Sequence, residues 1–262
     1  MLCIECGHQN IPNLYSRYKS EYIRLTTCPR CNRVSDKYIE YDAVILFIDI
    51  LLLKRGAYRH LAYNINETQI KHASKSKSDA RFHDRYRHLI KGAVLIILLD
   101  VYLIWATYEN SPSAMKRDIE PVLSLSLACQ YGFFISQTVL RHVVFNVVIQ
   151  LVLRYGMEFG KREQNEQIEP RYRCGFTTAV LLTTIMASSS VKLFRILTLI
   201  WPYQMSMSLV FGLISVVTTI EALHLVTSFN YLSLTLTVLA SLFLQELLTD
   251  SFNKFAVNLL ML

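Results

Sequence analysis

The chain has 262 residues, 52% of them apolar, with a mean hydropathy of +0.30 and a formal charge of +7. So apolar a composition argues against a wholly soluble protein and for one embedded in lipid. The charge is uneven: Lys54 to Lys91 holds ten Lys/Arg against three acids, an excess equal to that of the whole chain, which marks a juxtamembrane segment rather than a nucleic-acid surface.

Four of the six cysteines, Cys3, Cys6, Cys28 and Cys31, form two close pairs, while Cys129 and Cys174 stand alone in or beside apolar runs. This pattern reads as a metal site in a reducing compartment, not a secreted disulfide framework. No basic region followed by an apolar run comes after Met1, so targeting is expected from the first spanning helix. Cys3-Ile4-Glu5-Cys6-Gly7 and Cys28-Pro29-Arg30-Cys31-Asn32 each place two thiolates on a tight turn, from which both sulfurs reach one Zn²⁺ at about 2.3 Å. Gly7 and Asn32 tolerate the backbone that such a turn asks for.

The 21 residues between the pairs accommodate a hairpin with strands around Tyr15–Tyr18 and Tyr22–Leu25, and a third short strand is expected at Val34–Glu40. Four thiolates close the site, so the Zn²⁺ is expected to be structural, supplying folding energy that so small a head lacks. His8 could replace a cysteine as ligand, but it reads first as a solvated histidine. A redox dithiol would accompany a βαβ pattern, and a ubiquitin-ligase RING would need a second ligand set; the sequence offers neither.

Residues 1–41 are thus expected to form a zinc ribbon and 42–64 an amphipathic helix. Ala43 to Leu53 is apolar but too short to cross a bilayer. It is expected to lie in the headgroup layer, with Asp42, Asp49, Lys54 and Tyr58-Arg59-His60 as interfacial groups. The competing reading puts Leu46, Ile50 and Leu53 in a core beneath the ribbon. Residues 65–91 read as a basic linker, flexible from Lys71 to Ala80.

Residues 92–262 form the transmembrane region. Spans are expected near Gly92–Tyr108, inside Val122–Tyr155, and near Gly175–Val191, Met205–Phe229 and Tyr231–Leu248, four or five in number. Val122–Tyr155 exceeds one crossing, so it is a long tilted helix, a broken one, or a span with an interfacial piece. Lys192 and Arg195 interrupt the run from Phe176 to Trp201. Basic residues before the first span, and again at Arg154, Lys161, Arg162, Arg171 and Arg173, put the head in the cytosol. The expected fold is therefore an all-α polytopic membrane protein of four or five transmembrane helices, with a small N-terminal β zinc ribbon and an interfacial amphipathic helix.

Asp100, Arg141, His142, Lys192, Arg195, Glu221 and His224 are the polar exceptions within the spans. Ionisable groups at bilayer depth are costly, so they should face the bundle interior or mark a pathway. Glu221 and His224, three apart, share one helix face, where a helix-to-helix contact is the first reading and a lipid-headgroup or proton pathway the second. Asp100, Arg141, His142, Glu221 and His224 are the candidate lipid pathway, a polar seam for a headgroup whose tails stay in the bilayer.

The run from Cys3 through Cys31, then Asp36-Lys37-Tyr38-Ile39-Glu40, the stretch from Asp42 to Lys54, and Ala57-Tyr58-Arg59-His60-Leu61-Ala62-Tyr63-Asn64 resemble the homology domain of the Arv family, the ACAT-related proteins required for viability, of fungal type. The resemblance carries the family's cysteine ligands onto Cys3, Cys6, Cys28 and Cys31. It implies a multi-pass protein of the endoplasmic-reticulum membrane, with the Golgi membrane as a second location. Its implied role is intracellular sterol transport and distribution, with effects on sphingolipid metabolism and on delivery of glycosylphosphatidylinositol (GPI) intermediates. The expected partners are these membrane lipids and lipid enzymes, not nucleic acid. Acyltransferase, Asp-x-Asp, phosphate-loop and nucleophile-elbow motifs are all missing, so no catalytic residue and no enzymatic activity are expected. The alternative is a zinc-ribbon adaptor that recruits or regulates a lipid-synthesis enzyme without moving lipid itself.

Overall fold

The computed structural model describes residues 1–18, 22–75, 82–109, 120–160, 170–196 and 206–260. The head opens with the expected hairpin: β1 (Tyr15–Arg17) pairs antiparallel with β2 (Ile23–Leu25), Tyr15 facing Leu25. The third strand expected at Val34–Glu40 does not form. Val34 makes one bridge to Thr27, and a 3₁₀ turn follows at Lys37–Ile39. The Asp36 side chain accepts the Tyr38 N–H and caps that turn, a local bond that competes with extended pairing.

Helix α1 (Ala43–Leu51) is followed by α2 (Arg55–Arg59), which runs through a π-helical turn, His60–Ile65, into α3 (Asn66–Lys75). Residues 71–75, expected as flexible linker, are thus helical. Asn66, Glu67 and Ile70 are buried, and Asn66 Nδ2 donates to Thr183 Oγ1 at 2.9 Å, so tertiary packing holds α3 despite its polar sequence. Residues 76–80 of that expectation lie outside the described residues.

Then come α4 (Phe82–Glu109), the short α5 (Glu120–Leu123) and α6 (Leu127–Leu151), which a π turn prolongs to Gly156. Helix α7 (Pro170–Ser188) continues as a 3₁₀ stretch, Ser189–Ile196, and α8 (Ser206–Thr227) and α9 (Tyr231–Leu260) complete the chain. Among the described residues, five helices are long and apolar enough to cross a membrane: Leu89–Tyr108, Leu127–Gly156, Gly175–Ile196, Leu209–Thr227 and Tyr231–Asn258. The run from Val122 to Tyr155 is a span preceded by a short separate helix. Leu95, Leu213, Leu232 and Leu236 stand exposed on the outside, a face that suits hydrocarbon. Inside, the first and third spans touch: a Cβ on Gly92 would lie 2.6 Å from Met186 Cε.

The head sits on one end of the bundle. Leu2, Ile4, Tyr38, Tyr58 and Tyr63 share one buried cluster with Ile149, Leu153, Phe176, Leu223 and Val226 from the second, third and fourth spans. The Tyr63 hydroxyl donates to the Val226 carbonyl at 3.0 Å, and Phe159 packs edge-on against Phe229. Tyr58 and His60, expected at a lipid interface, are instead buried at this junction, 1% and 8% exposed. The apolar face of α1 points the other way: Val44, Ile45, Phe47, Ile48 and Leu52 are exposed while Asp49 and Ile50 are buried.

Candidate functional site: a cysteine centre and a polar cavity in the spans

The two cysteine pairs fold into matching knuckles. Gly7 N donates to Cys3 O at 3.0 Å and Asn32 N to Cys28 O at 2.9 Å; Cys3 N then donates to His8 O and Cys28 N to Arg33 O. Each turn needs a left-handed residue at its close, supplied by Gly7 at φ +73° and Asn32 at φ +53°. The hairpin between the pairs brings the knuckles face to face, so that all four Sγ atoms lie within 4.8 Å of one another. Cys3 and Cys31 sulfurs are 3.9 Å apart, Cys6 and Cys28 sulfurs 3.6 Å. Sulfurs held about 2.3 Å from a tetrahedral ion would be about 3.8 Å apart, so the spacing fits a metal ion.

The chemistry of the donor set agrees. Burial pushes the Cys3 thiol up to about 12, whereas at Cys28 burial is outweighed by the backbone N–H groups of Cys31 and Arg30, which bring the thiol down to about 7. Four thiols packed this closely would lose their protons together to a cation that offsets the repulsion between the thiolates. Arg59, which the sequence reading placed at a lipid interface, reaches over the first knuckle and donates to the carbonyls of Ile4 at 3.3 Å and Glu5 at 3.2 Å. Its guanidinium would offset the negative charge that four thiolates leave around a divalent ion.

A buried carboxylate ties this module to the helices behind it. Asp36, fully buried, accepts from His60 Nδ1 and Asn64 Nδ2, both at 2.6 Å, as well as from Tyr38 N. Asn64 also exchanges two bonds with the Leu2 backbone, at 2.9 and 3.0 Å. Asp36, His60 and Asn64 all lie in the segment that carries the family resemblance, and their shared role is to lock ribbon to helix.

The second constellation lies within the spans. Asp100 of the first span is 6% exposed; its Oδ2 accepts from His142 Nε2 at 2.8 Å and from Lys192 Nζ at 3.0 Å, joining the first, second and third spans. Asp100 Oδ1 has no partner among the described residues. Arg141 donates to Glu246 of the fifth span at 2.7 Å. These groups line a cavity of about 480 Å³ to which the fourth span adds Phe211, Gly212 and Ser215. At 1.5 Å per residue from the head-facing ends of their spans, Asp100 lies about 16 Å in, His142 about 21 Å, Glu246 about 22 Å and Lys192 about 25 Å.

Three of the five pathway residues read from sequence, Asp100, Arg141 and His142, therefore meet in one cavity. Glu221 and His224 do not join them. They sit at the head-facing turn between the fourth and fifth spans, where Glu221 accepts from the Tyr231 hydroxyl at 3.0 Å and His224 stacks on Tyr231 and donates to the Phe229 carbonyl at 2.7 Å. Lys192 joins Asp100 and Arg195 lines the same cavity, which their position as breaks in an apolar run had signalled. Glu246 was not singled out: it falls two residues from the expected end of the fifth span at Leu248, where a charge is ordinary, whereas the helix runs on to Leu260.

Fold and site define a membrane protein with five candidate spans among its described residues and a cysteine-knuckle head docked on one end of the bundle. The chain belongs to the Arv1-like family, whose sequence profile matches residues 2–223. It is 41% identical to Protein ARV1 of Candida albicans over 99% of this chain and 90% of that one. Identity to Protein ARV1 of Saccharomyces cerevisiae is 29%, over 88% and 83% of the two chains, and to that of Homo sapiens 26%, over 96% and 82%. No solved structure matches.

Proposed function

We propose that this chain is a lipid-homeostasis protein of the endoplasmic-reticulum membrane that redistributes sterols and other lipids, its head held in the cytosol and closed by a structural zinc ion. The observation that carries the reading is the ion-paired cavity: charged groups from four spans, meeting at hydrocarbon depth, are costly unless they serve a polar substrate. Tetrahedral thiolate spacing in a reducing compartment favours zinc over harder cations. Basic residues around the head-facing ends of the spans favour a cytosolic head.

In this reading the exposed aliphatic face of α1 lies in the headgroup layer, and Phe47 reaches the apolar space beside Gly92 and Leu95 of the first span. Sterol distribution, sphingolipid balance and delivery of GPI intermediates are the processes that family membership suggests for it. The lipid route runs through Asp100, Arg141 and His142, and Glu221 and His224 shape the turn beneath the head.

The test is the purified full chain in liposomes, with sterol and fluorescent-lipid redistribution measured between vesicles and between leaflets. Asp100→Asn is expected to remove most of the wild-type rate while the metal content stays unchanged. A wild-type rate no higher than that of empty liposomes would overturn the proposal and leave a head that only recruits another protein.

A further inference from the structure

The small sheet of the head is open on one side: among the described residues, β1 pairs only with β2. Thr26 N donates to Leu14 O and Tyr18 N to Tyr22 O, and Ser16 lies opposite Arg24. Antiparallel alternation therefore puts the hydrogen-bonded pairs at residues 14, 16 and 18 and turns the N–H and C=O groups of Tyr15 and Arg17 outward. None of these four groups is bonded elsewhere in the described backbone. Such an edge is a template for another strand. It borders a groove of about 850 Å³, of which residues 12–17 form one wall and Ile65, Thr68, Gln69 and Lys71, from α3 and the turn before it, form the other. We propose that this groove takes an extended acidic segment of a partner protein, which joins the head as a third strand.

The side chains around the groove select the segment. Arg17, Lys71 and His60 line it, and among the described residues no carboxylate does. His60 is committed to Asp36. Lys71 spends one of its three N–H groups on Glu67 at 2.8 Å and keeps two, while Arg17 stands exposed at the free edge. Leu14, Ile39 and Ile65 border the same groove. A strand presents alternate residues to opposite faces, so a segment with apolar residues on one face and carboxylates on the other matches both the aliphatic lining and the two basic side chains. Main-chain bonds to Tyr15 and Arg17 would supply affinity, and these side chains the choice of sequence. A second copy of this chain would bring two sets of basic groups together, a juxtaposition that like charges penalise.

The experiment is fluorescence anisotropy with the full chain in phosphatidylcholine nanodiscs and a labelled octapeptide that alternates valine and glutamate. One peptide per chain is expected, and its valine–lysine counterpart should bind at least about tenfold more weakly, as loss of one charge-assisted contact implies. Two N-methylated forms of the valine–glutamate peptide, one blocked at the valine amides and the other at the glutamate amides, probe the strand itself. Only one of these sets can face the edge of β1. Blocking that set should weaken binding by about tenfold or more, and blocking the other should leave it unchanged. Arg17→Glu should weaken the valine–glutamate peptide and strengthen the valine–lysine one, a gain that an unfolded head could not produce.

Equal loss or equal retention with the two methylated peptides, a comparison that needs no variant, would overturn the proposal; so would a valine–lysine peptide that binds as tightly, or no saturable binding up to about 1 mM. Full displacement of the peptide by dioctanoyl phosphatidylserine would also overturn it and give the groove to the membrane surface. Lipid redistribution in liposomes is measured without any peptide, so that reading and this one fail separately.

Discussion

Replacing Asp36 by alanine tests whether one buried carboxylate locks the head to the bundle. The substitution removes an acceptor from His60 Nδ1 and Asn64 Nδ2, both at 2.6 Å, and from the Tyr38 amide, and leaves the two side-chain donors buried without partners. Hydrogen bonds to a charged acceptor contribute about 1.5–3 kcal/mol each. With some relaxation and water entry the loss comes to about 4 kcal/mol, or about a thousandfold in the undocked population. Asn64 is the residue that then lets go of Leu2, so the loss should appear at the chain's first residues. Hydrogen exchange of the full protein in nanodiscs reads this directly at the Leu2 and Ile4 amides, whose acceptors are Asn64 Oδ1 and the Ser35 carbonyl. Asp36→Asn keeps one acceptor oxygen and should cost far less. Protection in Asp36→Ala within about threefold of wild type, below 1 kcal/mol, would refute the reasoning.

Elemental analysis of the full chain should find one zinc ion, and Cys28→Ser should lose it; Arg59→Ala should keep zinc but release it to chelator about tenfold faster, as one charge-assisted contact implies. Burial raises the hydroxyls of Tyr38 and Tyr58 above the ordinary value of 10. An acid whose folded value is raised contributes stability that is complete below pH 10 and is lost as pH climbs toward the folded value. The head should therefore unfold more easily above pH 10, as followed by helicity and tyrosinate absorbance, and Tyr58→Phe should flatten that slope. Gly92→Leu crowds the Met186 methyl, a side-chain end that can turn aside, and should cost about 1 kcal/mol in thermal unfolding, the low end for overpacking; adding Met186→Ala should restore most of it, and a double variant no more stable than the single would show that the crowding lies elsewhere.

The parts of the molecule governed by local chemistry were legible in its sequence. Thiol spacing with Gly7 and Asn32 predicts the knuckles, alternation predicts the hairpin, and runs of apolar residues predict four or five spans, of which the structure has five among its described residues. What failed to show were choices made by tertiary contact. An aliphatic helix bearing a few polar groups reads alike whether it meets lipid or protein. Only the structure shows α1 exposing Ile45 and Ile48 while Tyr58 and His60 turn inward. Val34–Glu40 had a strand's composition, yet the Asp36 carboxylate bent it into a turn. The cavity was half visible: an ionisable residue in a span announces a polar interior but not its partner. Asp100, Arg141 and His142 converge, whereas His224 is satisfied by the turn beneath it.

The bond from Tyr63 to Val226 joins residues 163 positions apart, and it gives biogenesis a direction. The cysteine-knuckle head leaves the ribosome first, but part of its seat, Leu223 and Val226, belongs to the fourth span, which is made near the end. Until that span enters the membrane, Tyr63 lacks its Val226 acceptor and the cluster around Tyr58 and Tyr63 lacks Leu223 and Val226. An incomplete chain thus displays an aromatic surface that quality control can recognise, and arrival of the last two helices conceals it.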